Sequence, residues 1–154
     1  MSDLVLKSSN IGIKQGEEPE HFHKYYELYI SLGGKAVNII NGAESITLPG
    51  DIYVLTSDTI HEQREIVNYE YCVFKYDNEA LFKEANKLIN KPGFQQLFVL
   101  DPKLRSAGTN DSYLYVDRDT LEYAKQVARI LQNETDNELK NNMFLSLVSL
   151  LCIR

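Results

Sequence analysis

The sequence predicts an α+β chain: a mainly-β sandwich or barrel followed by two or three α-helices. Three observations predict it. Up to residue 76, short runs rich in Tyr, Val and Ile alternate with turn signals at spacings of roughly 8–12 residues, the pattern of a sandwich or barrel. Beyond residue 77 the apolar residues recur at helical spacing. The 154 residues, 44% hydrophobic and 25% charged, are ordinary globular proportions. A chain this long buries about 70% of the surface of its unfolded form, so folding needs neither metal nor disulfide. The change in composition divides the chain into a barrel, residues 1–77, and a helical appendage, residues 78–154, packed on it within one unit.

Strands are predicted at 26–32, 35–40, 44–48, 52–56, 61–66 and 69–76, with one or two edge strands from residues 4–13. The signals between them are Gly33-Gly34, Asn41-Gly42, Pro49-Gly50-Asp51, Ser57-Asp58 and Val67-Asn68. Asn41-Gly42 is the strongest, because both residues tolerate the positive φ of a type I′ hairpin. A first helix is predicted over 78–90, with Leu81, Phe82, Ala85, Leu88 and Ile89 on one face and Lys91-Pro92-Gly93 ending it. Residues 101–118 read as irregular, with a short strand at 113–116. A second helix is predicted to start at Asp119 and a third at Thr135. Glu122 and Glu138 stand three residues on as capping-box partners. The third helix carries a wide apolar stripe: Leu139, Met143, Phe144, Leu147, Val148, Leu150 and Leu151. That stripe either packs wholly on the barrel or gives part of itself to a dimer seam.

Charge and hydropathy exclude several classes. A net charge of −6 argues against this chain gripping nucleic acid, which requires clustered Lys and Arg. No apolar run approaches the roughly 18 residues of a membrane span. Met1-Ser2-Asp3 opens no basic region followed by an apolar stretch, so no signal peptide is expected and a cytoplasmic location is. Cys72 and Cys152 read as two buried thiols.

The three histidines carry the chemistry. His21 and His23 are spaced i, i+2 on one predicted strand, so both point to one face, with Tyr25, Glu27 and Tyr29. His61 opens a later strand. Curling the strands into a barrel lets His21, His23, Glu27 and His61 converge. Three imidazoles and a carboxylate suit divalent Zn, Fe, Mn, Ni or Cu, and without metal they suit hydrogen bonds to an organic ligand. The ten tyrosines and absent tryptophan suit a pocket for a sugar or another polar small molecule. Tyr25 and Tyr29 are expected to face it; Tyr53, Tyr69 and Tyr71 lie on neighbouring strands. Lys24 and Arg64 read as solvated surface charges.

These residues resemble the two motifs of the cupin superfamily. Gly16, His21-Phe22-His23, Glu27 and Gly34 follow the first motif, with its first spacer one residue short. Gly50 and His61 follow the second, which is altered by Thr56, Asp58 and Glu65. A narrower resemblance covers nearly the whole chain. His21-Phe-His-Lys-Tyr-Tyr-Glu-Leu-Tyr29, Ile39-Ile-Asn-Gly42, Leu48-Pro-Gly-Asp-Ile-Tyr-Val-Leu55 and Gly93-Phe-Gln-Gln-Leu-Phe-Val-Leu-Asp-Pro102 look like the sensor domain of AraC-type transcription regulators.

The resemblance implies a mainly-β, jelly-roll-like cupin barrel that binds an effector through His21, His23, Tyr25, Glu27, Tyr29 and His61. It implies metal, if any, at His21, His23, Glu27 and His61, and a homodimer through the C-terminal helices. The family continues with helix-turn-helix units that have no counterpart in these residues. DNA contact is therefore expected only through a domain absent from this chain, whose uncapped Ser149–Arg154 end is of the kind a trimmed chain carries. The expected role is effector sensing without catalysis. The alternative is a metal-dependent cupin enzyme, a dioxygenase or sugar isomerase, using the His3Glu set.

Overall fold

The computed structural model describes residues 4–108 and 113–152. Strands β1 (Leu6–Ile13), β2 (Glu18–His21), β3 (Tyr26–Ile40), β4 (Ala43–Thr47), β5 (Asp51–Leu55), β6 (His61–Tyr76) and β7 (Leu114–Tyr115) form one antiparallel sheet. Helices α1 (Asn78–Glu84), α2 (Pro92–Gln95), α3 (Asp101–Ser106), α4 (Arg118–Asn133) and α5 (Asn137–Cys152) accompany it, and a π-helical turn, Gln96–Leu100, joins α2 to α3. The α+β expectation holds. Among the described residues no helix is long and apolar enough to cross a membrane.

Two long strands organise the barrel. The first half of β3 pairs with β5 and with the end of β6, whose other edge is covered by β1. The second half of β3 pairs with β4 and with the start of β6, which β2 closes. The sheet therefore folds over on itself, and β3 and β6 belong to both layers.

The bend corrects two sequence expectations. Gly33-Gly34 and Val67-Asn68 are not turns between strands; they lie within β3 and β6. The register slips between Ser31 and Val37, and Gly34, Glu65 and Asn68 adopt φ of +67°, +50° and +48°. A Cβ on Gly34 would stand 2.2 Å from the Asn68 carbonyl oxygen, so only glycine permits this crossing. Bulges and turns both need left-handed residues, so composition does not separate them. The Asn41-Gly42 hairpin forms as expected, with φ of +48° and +84°.

Side-chain alternation sorts the two faces. Leu28, Ile30, Ile52, Val54, Cys72 and Phe74 pack against Leu81, Phe94, Leu97, Ala124, Val127, Phe144, Leu147 and Val148 of the helices. Phe144 lies 5.6 Å from Phe74 and 5.9 Å from Tyr76, centroid to centroid. The opposite face carries Tyr29, Ile40, Tyr53, Leu55 and Val73 into the barrel. Cys72 and Cys152 are free and buried, as expected.

The helices depart from expectation at their ends. Helix α1 stops at Glu84, not at 90, and Pro92 opens the next helix instead of only closing one. Residues 101–106, expected irregular, form α3. Helix α4 starts at Arg118, one residue earlier than predicted, and the cap moves two residues back: the Asp117 carboxylate accepts from the Thr120 N–H at 2.8 Å. Helix α5 starts at Asn137, and the Asp136 carboxylate accepts from the Leu139 N–H at 3.0 Å. Neither expected capping residue, Asp119 or Thr135, supplies the cap, because an aspartate nearer the helix end satisfies the same orphan donors. The α5 stripe is split: Phe144, Leu147, Val148 and Leu151 are buried, whereas Leu139 is exposed.

The histidine cleft and its family

The register brings the histidines together. His21 ends β2 and sits opposite His61, the first residue of β6. The chain then leaves the sheet for residues 22–25 and re-enters as β3, which carries Glu27 and Tyr29 inward. His23 lies in that excursion, not on a strand continuous with His21, yet its ring still reaches the group. Ring centroids are 4.1 Å apart for His21 and His61, 4.5 Å for His21 and His23, and 5.3 Å for His23 and His61. One ligand atom from each imidazole lies within 4.8 Å of the others, so the three form a group able to hold a metal ion.

Polar neighbours face the His21 and His23 rings. His21 Nδ1 lies 2.7 Å from the Pro19 carbonyl oxygen and donates to it. This leaves Nε2 facing the cleft, 2.8 Å from Glu18 Oε1. A backbone acceptor on one ring nitrogen is how ligating histidines present the other. His23 Nε2 stands 3.3 Å from Glu27 Oε1. His61 Nε2 is 3.8 Å from the same oxygen, and this buried nitrogen has no hydrogen-bond partner among the described residues.

Burial sets the charge state. It pushes the Glu27 carboxyl up to about 7, against the pull of the Lys75 ammonium. It pushes the His61 imidazole down to about 3, with His21 acting in the same direction. Burial, then the His21 charge, also lowers His23. Burial alone would raise Glu18, but its hydrogen bond and charge interaction with Lys14 bring it below the ordinary carboxylate range. Near neutral pH the cleft thus offers uncharged imidazole nitrogen on His61 and His23 beside a carboxyl that a cation would readily ionise. The orphaned His61 nitrogen and this donor set fit a divalent ion of the borderline, nitrogen-favouring kind.

The cleft occupies about 300 Å³ and is lined by Asn10, Lys14, Glu18, His21, His23, Glu27, Tyr29, Tyr71, Val73 and Lys75. Below it the barrel is filled by a polar aromatic layer. Tyr29 stacks on Tyr53 at 5.2 Å. Asn38 Nδ2 donates to the Tyr53 hydroxyl at 2.9 Å and to the Tyr113 hydroxyl at 3.2 Å, and Gln63 Nε2 donates to Asn38 Oδ1 at 2.9 Å. Tyr113 also hydrogen-bonds Ser45. The buried Arg105 guanidinium of α3 lies 4.6 Å from the Tyr113 ring. The helical half of the chain thereby contributes side chains to the barrel interior.

Of the six residues expected to face a ligand, His21, His23, Glu27 and Tyr29 line the cleft and His61 backs it. Tyr25 does not. It lies in the excursion before β3 and is 46% exposed, because the strand whose alternation would aim it inward begins only at Tyr26. Tyr53, Tyr69 and Tyr71 all face the interior, Tyr69 bonded to Ser31 Oγ at 2.9 Å. Lys24 and Arg64 are exposed, as read. Lys14, Glu18 and Lys75 also line the cleft and were not among the expected residues. The alternation of Tyr71, Val73 and Lys75 was a usable signal for the last; Lys14 and Glu18 precede any clear pattern.

Solved structures similar to the chain include a cupin-2 domain-containing protein from Shewanella frigidimarina, 16% identical over 45% of this chain and 69% of that one, with a TM-score of 0.41. Another is an RmlC-like cupin family protein with a double-stranded β-helix fold from Methanocaldococcus jannaschii, at 14%, 49% and 73%, with a TM-score of 0.41. A third is KdgF from Halomonas sp., at 16%, 50% and 74%, with a TM-score of 0.40. No curated protein matches the chain. The family model for the AraC-like ligand binding domain matches residues 12–148, nearly the whole of the barrel and helices described above, and the chain belongs to that family.

Proposed function

We propose that this chain is the effector-sensing domain of an AraC-type transcription regulator, and that the effector is a small polar molecule seated among His21, His23, Glu27, Tyr29 and His61. The observation that carries this reading is the convergence of His21, His23, Glu27 and Tyr29 on one open cleft, with the His61 ring packed 4.1 Å behind that of His21 and its buried Nε2 without a hydrogen-bond partner among the described residues. A buried polar atom without a partner costs about 1–3 kcal/mol, and a ligand hydroxyl or a metal ion removes that cost. The stacked tyrosines beneath the cleft offer flat apolar faces of the kind that suit a sugar ring.

Binding at the cleft reaches the helices through the barrel wall. Glu27 and Tyr29 alternate along β3 with Leu28 and Ile30, which pack in the core shared with α4 and α5. A ligand that favours one arrangement of β3 therefore biases the helical layer. In this reading residues 1–77 sense and residues 78–154 dimerise. Tyr123 and Ile130 of α4 and Leu139 of α5 leave exposed apolar surface for a second copy. A domain outside this chain contacts DNA, in the cytoplasm.

The second reading is a metal centre. His21, His23, His61 and Glu27 would hold the ion, which would supply Lewis-acid chemistry to an enzyme or anchor an effector in a sensor. The three imidazoles, whose ligand atoms lie within 4.8 Å of one another, favour it.

A thermal-shift screen of sugars, polyols and divalent ions, followed by calorimetry, tests the proposal. A ligand found this way should lose at least tenfold affinity with His61→Ala while the variant stays folded. Unchanged affinity in that variant would place the ligand elsewhere.

A further inference from the structure

Four charged side chains line the cleft on its β1, β2, β3 and β6 sides, and three are already committed. Glu18 accepts from Lys14 and faces His21. Lys14 also lies over the Tyr71 ring, 4.9 Å from its centroid. Glu27 turns to His23 and His61. The fourth, Lys75, has no ion-pair partner among the described residues.

Lys75 is not placed as an ordinary surface lysine. It sits on β6 directly across from Glu27, on the inward face with Tyr71 and Val73, and is half-buried. Inward-pointing lysines commonly guard sheet edges, but β6 is paired there to β1 on one side and β3 on the other, so it has no edge to guard. A half-buried lysine with no ion-pair partner among the described residues leaves its ammonium available to an anion on the ligand. The chain as a whole carries −6, so any attraction for an anion is local to this rim.

We propose that the ligand of this cleft is a small carboxylate, its anionic group held by the Lys75 ammonium and its other polar atoms turned to the imidazoles of His21, His23 and His61. This rests on the cleft being the ligand site. The cleft, at about 300 Å³, is at the small end of ligand pockets, which suits a compact acid.

The test uses matched probes that differ only in a carboxylate replacing a hydroxymethyl group: gluconate against sorbitol, lactate against 1,2-propanediol, and benzoate against benzyl alcohol. Titration calorimetry on the intact chain should show at least one acid binding tighter than its alcohol by about tenfold or more, the scale of one charge-assisted hydrogen bond. Lys75→Met, which keeps the stem and removes the charge, should abolish that preference and leave alcohol affinity within about twofold. Lys75→Arg should retain it. Alcohols binding as well as acids, an acid preference that survives Lys75→Met, or no acid binding at all would overturn the proposal. Sorbitol binding lost in His61→Ala would still leave the cleft as the ligand site, whereas acid binding untouched by both His61→Ala and Lys75→Met would remove the cleft itself.

Discussion

Replacing Glu27 with glutamine should stabilise the metal-free protein by an amount that grows as pH rises from about 4.5 to about 7 and then levels off. Glu27 is 2% exposed, and burial lifts its carboxyl from 4.5 to about 7. A folded-state pKa above the unfolded one contributes stability below about pH 4.5 that is lost as pH rises through about 7. At about 1.36 kcal/mol per pH unit the full loss is about 3 kcal/mol, of which about 2–3 kcal/mol falls between pH 5 and pH 8. Glutamine keeps the shape and carries no ionisable proton. The variant should therefore match the wild type within about 1 kcal/mol at pH 5 and exceed it by about 2–3 kcal/mol at pH 8. For a domain of this size that is a gain of roughly 5–10 °C in Tm. Urea denaturation of both proteins at the two pH values, with a chelator present, reads the difference. The His61 contribution is common to both proteins and cancels. A stability difference independent of pH would refute the reasoning, because it would mean that Glu27 ionises in the fold as it does in water.

Three further outcomes follow from the fold. Gly34→Ala should cost at least about 2 kcal/mol in urea melts, since it forces an alanine to positive φ and drives its Cβ into the Asn68 carbonyl. Gly12→Ala, with nothing within 4 Å of the added carbon, should stay within about 0.5 kcal/mol. Asp117→Ala should cost about 1 kcal/mol through loss of the α4 cap, and Asp119→Ala, further into the helix, less than half of that; equal effects would put the helix start where the sequence alone suggested. Asn38→Ala strips partners from Tyr53, Tyr113 and Gln63 at once and should cost about 2–4 kcal/mol by the same denaturation assay.

The site was more legible in the sequence than the strand ends around it. His21, His23, Glu27 and His61 could be grouped because few residue types are worth burying together in a barrel, and their spacing fits two strands that face each other. What failed was the assumption of one continuous strand through 21–29. Nothing local marks the break after His21, and the exposed Tyr25 is its consequence. Gly33-Gly34 and Val67-Asn68 were visible as left-handed positions, but whether such a pair reverses the chain or bends it depends on which strand lies alongside. That is a long-range fact. The helix caps erred for a simpler reason: Asp117 and Asp119, like Thr135 and Asp136, are all competent caps, and the choice between neighbours is made by where the apolar face of α4 or α5 meets the sheet. Lys75 shows the reverse case. The strand alternation that aims it inward was present in the sequence, but an inward lysine has meaning only once its lack of a counter-ion is seen.

The most direct measurement of the cleft's role uses the fact that the chain has three histidines and that all three meet there. Histidine-selective isotope labelling makes every labelled imidazole a reporter of the cleft, followed by NMR as a ligand that raises Tm is titrated in. The His21, His23 and His61 ring signals should move together with one Kd, equal to the calorimetric value. A ligand that raises Tm and leaves all three ring signals in place would contradict it.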